Sequence, residues 1–154
     1  MSKIEIRRIG ADSAHELAPL IAAYAQEMTR GAPRRPDDFY AEQLLEDRTA
    51  ELLGAWIGGE LIGFAIFFDL PETISGLRAG QIDDLWVTPE ARASGAGRRM
   101  IESLVTEGQS RGWAHLRWLV SEKNPSAEAI YGDIGEPAPW DSFVIRIDKL
   151  AALF

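Results

Sequence analysis

Hydrophobic residues alternate with polar ones near the start of the chain and then change to a helical spacing. Residues 4–9 alternate as a β-strand does, so they predict a first strand. A capping box at Ser13 and Glu16 then starts a predicted helix, whose apolar stripe consists of Leu17, Leu20, Ile21, Tyr24 and Met28. Glycine, proline and arginine break this pattern over residues 29–36, before a second short helix predicted over residues 37–47.

Two runs further along the chain are apolar at nearly every position. Residues 51–57 and 61–68 are joined by residues 58–60, Gly-Gly-Glu, a composition typical of a β-hairpin turn. Strands without a polar face are buried on both sides, so we expect this hairpin at the centre of a sheet covered on both faces. A loop is expected over residues 70–80, and the alternation of residues 142–147 predicts a last strand.

The strand predicted over residues 82–87 leads into a glycine-rich loop. It ends before Pro89, because proline cannot donate to a sheet ladder. Arg92-Ala-Ser-Gly95-Ala-Gly97 follows, and a helix is predicted from the spacing of Met100, Ile101, Leu104 and Val105. Small residues at the first turn of a helix leave its free N–H groups open to phosphate. The loop alone fits either a pyrophosphate site or an ordinary entry into a helix.

Composition narrows the class of protein. A chain of 154 residues, 46% hydrophobic and 26% charged, is expected to form one domain, residues 1–154, with one core. The net charge of −8 argues against a nucleic-acid partner, and no apolar run is long enough to span a bilayer, so we expect a cytoplasmic protein without a membrane partner. The lack of cysteine excludes an acyl-cysteine intermediate. The two histidines have no partners at ligand spacing, so no metal is predicted.

A second motif follows another predicted strand, residues 115–120. Asn124-x-x-Ala127-x-x-x-Tyr131 opens a short helix there. Strand, Arg-x-x-Gly-x-Gly, helix, strand and Asn-x-x-Ala-x-x-x-Tyr together resemble the GCN5-related N-acetyltransferases (GNAT), which transfer an acyl group from acyl-coenzyme A to an amine. The lead-in Ile-Asp-Asp-Leu-Trp-Val at residues 82–87 is similar to that of the polyamine and diamine acetyltransferase branch. The close resemblance covers residues 81–131.

This resemblance implies an α+β fold with a twisted, mixed and mostly antiparallel sheet and helices on both faces. The strands at residues 82–87 and 115–120 would be parallel neighbours that splay apart, and the pantetheine arm of acetyl-CoA would enter the gap. At least one of Arg92, Arg98 and Arg99 is expected to contact phosphate. The residues implied to bind the coenzyme are Leu85, Trp86, Val87, Arg92, Ala93, Ser94, Gly95, Ala96, Gly97, Arg98, Asn124 and Tyr131.

Asp83 and Asp84 are the candidate acids for catalysis. An acceptor amine is protonated near neutral pH and must lose a proton before it attacks, so a carboxylate suits the roles of base and anchor. Adjacent residues on a strand point to opposite faces, and this parity places Asp83 beside Leu85 and Val87 at the cleft. Both acids also fit a purely structural role, in which case the base and anchor lie elsewhere, for example within residues 29–47.

Tyr131 and Asn124 lie about two helical turns apart, so both should face the same side of their helix. The resemblance implies that Tyr131 is the general acid that protonates the departing coenzyme A sulfur. It also implies that Asn124 bonds the pantetheine arm as well as capping the helix. The alternative for Tyr131 is a core tyrosine with its hydroxyl at the surface.

The predicted function is direct transfer of an acetyl group from acetyl-CoA to a primary amine of a small, polyamine-like acceptor, carried out by a homodimer. A non-catalytic acyl-CoA-binding module that regulates a partner is the alternative from another class. Coenzyme binding without turnover on a broad panel of amines would identify the module. A plain nucleotide-binding domain ranks last, because the chain lacks a Walker lysine and a ribose-binding acid at the right offset.

Overall fold

One five-stranded sheet organises the computed structural model, which describes residues 3–29, 35–120 and 131–147. The strands lie side by side in chain order and are β1 (Ile4–Arg8), β2 (Glu51–Ile57), β3 (Glu60–Glu72), β4 (Leu77–Val87) and β5 (Trp113–Trp118). Neighbours from β1 to β4 are antiparallel, whereas β4 and β5 are parallel. The predicted mixed, mostly antiparallel sheet is therefore confirmed.

Three helices cover the two faces of this sheet: α1 (Ala14–Thr29), α2 (Asp38–Glu46) and α3 (Ala96–Arg111). The first two pack on one face over a core that includes Leu17, Ala41, Trp56, Phe64 and Trp86. The third packs on the opposite face over a core that includes Leu53, Ala65, Ile82, Leu85, Met100 and Leu104. β2 and β3 are buried on both sides, as their continuous apolar runs predicted.

A β-bulge interrupts β4 at the two adjacent acids. Asp84 lies opposite Ile66 of β3, whereas Ile82 lies opposite Phe67, the next residue of β3. Asp83 is therefore an extra residue without a cross-strand partner, which is the definition of a bulge. Because side chains alternate with a period of two, one inserted residue moves every later side chain to the other face.

The gap between β4 and β5 begins at the same place. Their parallel pairing runs from Arg78 opposite Trp113 to Ile82 opposite Trp118, where β5 ends. β4 continues to Val87, five residues beyond the last position of this register. The predicted parallel pair is therefore present, and its register ends next to the bulge.

The segment predicted as a loop over residues 70–80 is mostly strand. Leu70 pairs with Ala79 and Glu72 with Leu77, so β3 and β4 continue almost to the turn between them, with β5 beside β4 from Arg78 onward. The prediction was wrong because each residue that suggested a loop has a place in the sheet. Pro71 pairs with Arg78 on one side and lies beyond the last pairing of β3 with β2 on the other, so its missing N–H breaks no ladder there. Gly80 is buried against Trp113, where a side chain would not fit.

The last strand predicted over residues 142–147 is also wrong, since no strand is present in that part of the chain. Phe143, Val144 and Ile145 are 89%, 68% and 62% exposed. Alternation of apolar side chains indicates a strand only where a neighbouring strand accepts its backbone hydrogen bonds, and no described strand pairs with this segment. Residues 131–134 are helical, so helix continues past Tyr131, whereas the start of the helix predicted at Asn124 lies outside the described residues.

Candidate active site

A cavity of about 510 Å³ opens between α1, α2 and the sheet. Its walls are mostly apolar, with Ile21 from α1, Leu44 from α2, and Phe64 and Ile66 from β3. Its volume lies within the range of about 300–1,000 Å³ that is usual for small-molecule sites. Asp84 lines this cavity, because the bulge turns its side chain toward α1.

Asp84 is half-buried and is the hydrogen-bond partner of Tyr24, whose hydroxyl donates to Oδ1 at 2.6 Å. Burial raises the pKa of Asp84, the hydrogen bond from Tyr24 opposes that shift, and the nearby charge of Asp83 adds to it. Burial, together with the hydrogen bond to Asp84, raises the pKa of Tyr24, so its hydroxyl stays protonated and donating. A carboxylate in this setting attracts an ammonium group and is a better proton acceptor than an exposed aspartate.

Asp83 lies outside this cavity, contrary to the parity argument. Its side chain is exposed and accepts a hydrogen bond of 2.8 Å from Nε2 of Gln81. The prediction that Asp83 faces the cleft beside Leu85 and Val87 is therefore wrong, because the cavity lies on the face covered by α1 and α2, whereas Leu85 and Val87 pack beneath α3. The bulge leaves Asp84 on the cavity side of the sheet, the side on which Trp86 is also buried.

The glycine loop has the predicted order of strand, loop and helix. Residues Pro89–Ser94 form a 3₁₀ turn, and α3 begins after Gly95, which has a φ of +86°. This left-handed conformation favours glycine, since a Cβ would strain the backbone there. Ser94 Oγ accepts the N–H of Ala96 at 3.2 Å, and both Ala96 and Gly97 are buried in the first turn of α3. The contact of this loop with pyrophosphate stays a prediction.

Arg92 is held by protein groups. Its Nη2 lies 2.7 Å from a carboxylate oxygen of Glu27 on α1, and its Nε donates to the carbonyl of Val87 at 3.1 Å. Trp86 Nε1 also donates to Glu27, at 3.4 Å. Arg92 therefore fastens the loop to α1. The sequence interpretation missed Glu27, although it lies one turn after Tyr24 on the same helix and could have been found by that spacing.

Arg98 lies in the first turn of α3 and links it to the segment that follows Tyr131. It pairs with Glu102 at 3.3 Å and approaches Asp133 at 3.8 Å. Tyr131 is 40% exposed, and its carbonyl accepts the N–H of Gly135 at 2.8 Å. The role of Tyr131 stays a prediction. Asn124 lies outside the described residues.

The remaining residues predicted to bind the coenzyme lie at the end of β4. The side chains of Leu85, Trp86 and Val87 are buried, the first and third beneath α3 and the second beneath α1. Within the described ranges, no group of three or more histidine or acidic side chains is placed to hold a metal ion. No helix in the same ranges is long and apolar enough to cross a membrane.

Comparisons with known proteins agree with this geometry. A crystal structure of ribosomal-protein-alanine N-acetyltransferase from Brucella melitensis biovar Abortus 2308 is 43% identical and superposes with a TM-score of 0.87, covering 94% of this chain and 99% of that one. An uncharacterized N-acetyltransferase, YhfO, from Bacillus subtilis is 26% identical over 86% of this chain and 89% of its own length. Thialysine N-epsilon-acetyltransferase from Sus scrofa is 26% identical over 71% of this chain and 68% of its own length.

The model of the acetyltransferase (GNAT) family matches residues 17–135. This match extends from α1 through the glycine loop and the splayed strands to the turn that follows Tyr131. It therefore includes both walls of the cavity and both sequence motifs. The chain belongs to the GNAT family and is an N-acetyltransferase.

Proposed function

We propose that the protein transfers an acetyl group from acetyl-CoA directly to the primary amine of a small acceptor bound in the cavity beside Asp84. The observation that carries this proposal is the half-buried carboxylate of Asp84, held by Tyr24 in an apolar cavity next to the point where β4 and β5 separate. A base and anchor for a cationic amine thus lies beside the gap in which the coenzyme is expected.

The coenzyme half of the site is supported by the family and by the elements around the glycine loop. The family uses acetyl-CoA, and the register between β4 and β5 ends at Ile82, whereas β4 continues to Val87. A pantetheine arm contains amide groups, so it can lie along the end of a strand as a peptide does. Gly95 and Gly97 open the N-terminus of α3, where backbone dipoles favour a pyrophosphate. Arg98 lies in the first turn of α3, and its ion pair with Glu102 is long and exposed, whereas the ion pair of Arg92 with Glu27 is short and half-buried, so Arg98 is the arginine better placed to contact phosphate.

The chemical step is assigned to Asp84 and Tyr131. Asp84, directly or through water, takes a proton from the acceptor ammonium, and the amine nitrogen then attacks the thioester carbonyl carbon. A C–N bond forms, the C–S bond breaks, and Tyr131 protonates the departing sulfur. The nitrogen loses its second proton, which restores the Tyr131 phenol, and Asp84 releases the first proton to solvent. With no cysteine in the chain, no acyl-cysteine lies on this route. A homodimer and a cytoplasmic location, both expected from the sequence, remain parts of the proposal.

An assay of coenzyme A release across polyamines, diamines, amino acids, aminoglycosides and peptides tests the activity. Asp84→Asn should lower kcat/KM for the accepted amine by roughly 10²-fold, because it removes the base without changing shape. Calorimetric affinity for acetyl-CoA should stay unchanged.

Asp83→Asn is the matched control, because it removes an equal charge from the adjacent exposed position. It should change kcat/KM by less than about threefold. Equal losses for the two variants would contradict the assignment of Asp84. Acetyl-CoA binding without turnover of any amine would favour the non-catalytic module.

A further inference from the structure

Arg35 lines the same cavity as Asp84 and differs from the other arginines around the site. Arg92 and Arg98, at the glycine loop and the start of α3, are paired with the carboxylates of Glu27 and Glu102. Arg35 has no ion pair with any residue in the described parts of the chain. A guanidinium at a cavity wall without a carboxylate partner is available to a ligand.

The chemistry of this group limits what it binds. A guanidinium presents a planar set of N–H donors that matches the two oxygens of a carboxylate, and it stays charged at every physiological pH. Asp37 also lines the cavity, but it caps α2, and its Oδ1 accepts the N–H of Tyr40 at 3.0 Å. Arg35 is therefore the cation and Asp84 the half-buried anion that this cavity presents among its described residues.

The rest of the cavity lining is mostly apolar. Ile21, Leu44, Phe64 and Ile66 form its walls, and Phe64 is fully buried. A ligand that satisfies the whole cavity carries an ammonium, a carboxylate and an apolar group. Neither a simple amine nor a polyamine has all three.

We infer that the acceptor is a free amino acid with an apolar side chain, whose ammonium lies at Asp84 and whose carboxylate lies at Arg35. This inference rests on the proposed function, since it names the amine that the site acetylates. The amino nitrogen loses a proton to Asp84 and forms the new C–N bond, the C–S bond of the thioester breaks, and the coenzyme A thiol leaves with a proton. The products are an N-acetyl amino acid, coenzyme A and one proton.

The same two charges select against a polyamine. A second ammonium on such a ligand would lie near Arg35, where repulsion between like charges disfavours binding. The polyamine-like acceptor suggested by the motif at residues 82–87 therefore satisfies Asp84 but not Arg35.

Matched acceptors that differ only in the carboxylate test this inference. Coenzyme A release is measured with leucine and leucinamide, with phenylalanine and phenylalaninamide, and with spermidine. Wild-type protein should prefer each acid over its amide, and Arg35→Gln should lower kcat/KM for the acids by about tenfold to a hundredfold, mainly through KM. The amides should change little. The ratio of kcat/KM for the acid to kcat/KM for the amide is compared between variants, because the different basicity of the two amines affects every variant equally.

Two further variants sharpen the result. Arg48→Gln removes an exposed arginine that does not line the cavity, so it should leave the acid-to-amide ratio unchanged. Arg35→Glu should reverse the preference toward spermidine, because the cavity then carries only negative charges beside its apolar walls. Better turnover of spermidine or of the amides by wild-type protein would overturn the inference, and so would an equal loss for acids and amides in Arg35→Gln.

A different measurement distinguishes failure of the proposed function from failure of this inference. Calorimetric titration of leucine into the wild-type protein with coenzyme A measures acceptor binding without chemistry. Leucine binding that Arg35→Gln weakens, with no acetyl transfer to any amine, would support the ligand class and contradict the activity. Turnover of amines without dependence on Arg35 would support the activity and contradict the ligand class.

Discussion

Asp84 is half-buried, and among the described residues its hydrogen-bond donor is the neutral hydroxyl of Tyr24. Burial of the ionised carboxylate lowers the stability of the folded protein. A carboxyl group whose pKa is raised in the folded state is protonated more readily there than in the unfolded chain. Its favourable contribution to stability is complete below the ordinary carboxyl pKa and is lost as the pH rises through the raised value. The protein therefore has a lower free energy of unfolding with Asp84 ionised, as catalysis requires, than with Asp84 protonated.

Asp84→Asn should consequently increase the free energy of unfolding at neutral pH while lowering activity. Asparagine keeps an oxygen that accepts from Tyr24 but carries no charge to bury. The stability difference between variant and wild type should grow as the pH rises from the ordinary carboxyl pKa of 3.8 through the raised value. Thermal unfolding of both proteins over this pH range measures the stability difference. A difference that does not vary with pH would contradict the raised pKa of Asp84.

Tyr131 gives a second prediction at the scale of one side chain. Tyr131→Phe removes the hydroxyl assigned to protonate the leaving sulfur, so kcat should fall by roughly 10²-fold while acetyl-CoA affinity is kept. The rate must be measured where chemistry limits turnover. Unchanged kcat in Tyr131→Phe would reduce Tyr131 to a packing residue.

At the scale of elements, the junction of β4, the glycine loop and α3 forms the coenzyme half of the site. Gly97 is buried in the first turn of α3, next to the left-handed Gly95. Gly97→Glu adds both bulk and negative charge where a pyrophosphate is expected, so the Kd for acetyl-CoA should rise by about tenfold or more. Gln109→Glu adds the same charge at the other end of the helix and should leave the Kd unchanged. Calorimetry on folded variants distinguishes the two.

The packing of α3 on β4 and β5 depends on two glycines that contact Trp113. A Cβ on Gly108 would lie 2.5 Å from Trp113 Cε3, and one on Gly80 would lie 2.3 Å from its Cζ3. Gly108→Ala should therefore destabilise the protein by about 1–3 kcal/mol, as overpacking of a core does. Gly132→Ala, where a Cβ meets nothing within 4 Å, is the control. Equal midpoints of denaturant unfolding for both variants would contradict this packing.

At the scale of the whole molecule, the sequence predicted the elements in which apolar residues recur with one period, but it did not predict the single extra residue that forms the bulge. The continuous apolar runs of β2 and β3 and the helical stripe of α1 identified the layers, because burial imposes the same period along each element. The bulge at Asp83 changes the period at one residue, and no local signal marks it. The ion pair of Arg92 with Glu27 joins residues distant in sequence, so only the fold reveals it. Residues 142–147 have a strand pattern without a partner strand.

Helix α1 connects the two ligands in a way that constrains their thermodynamics. Tyr24 contacts the carboxylate in the acceptor cavity, and Glu27, one turn later, holds the arginine of the glycine loop. A displacement of this turn of α1 therefore affects both contacts together. Any factor by which the coenzyme changes acceptor affinity must equal the factor by which the acceptor changes coenzyme affinity, since the two binding equilibria form one closed cycle.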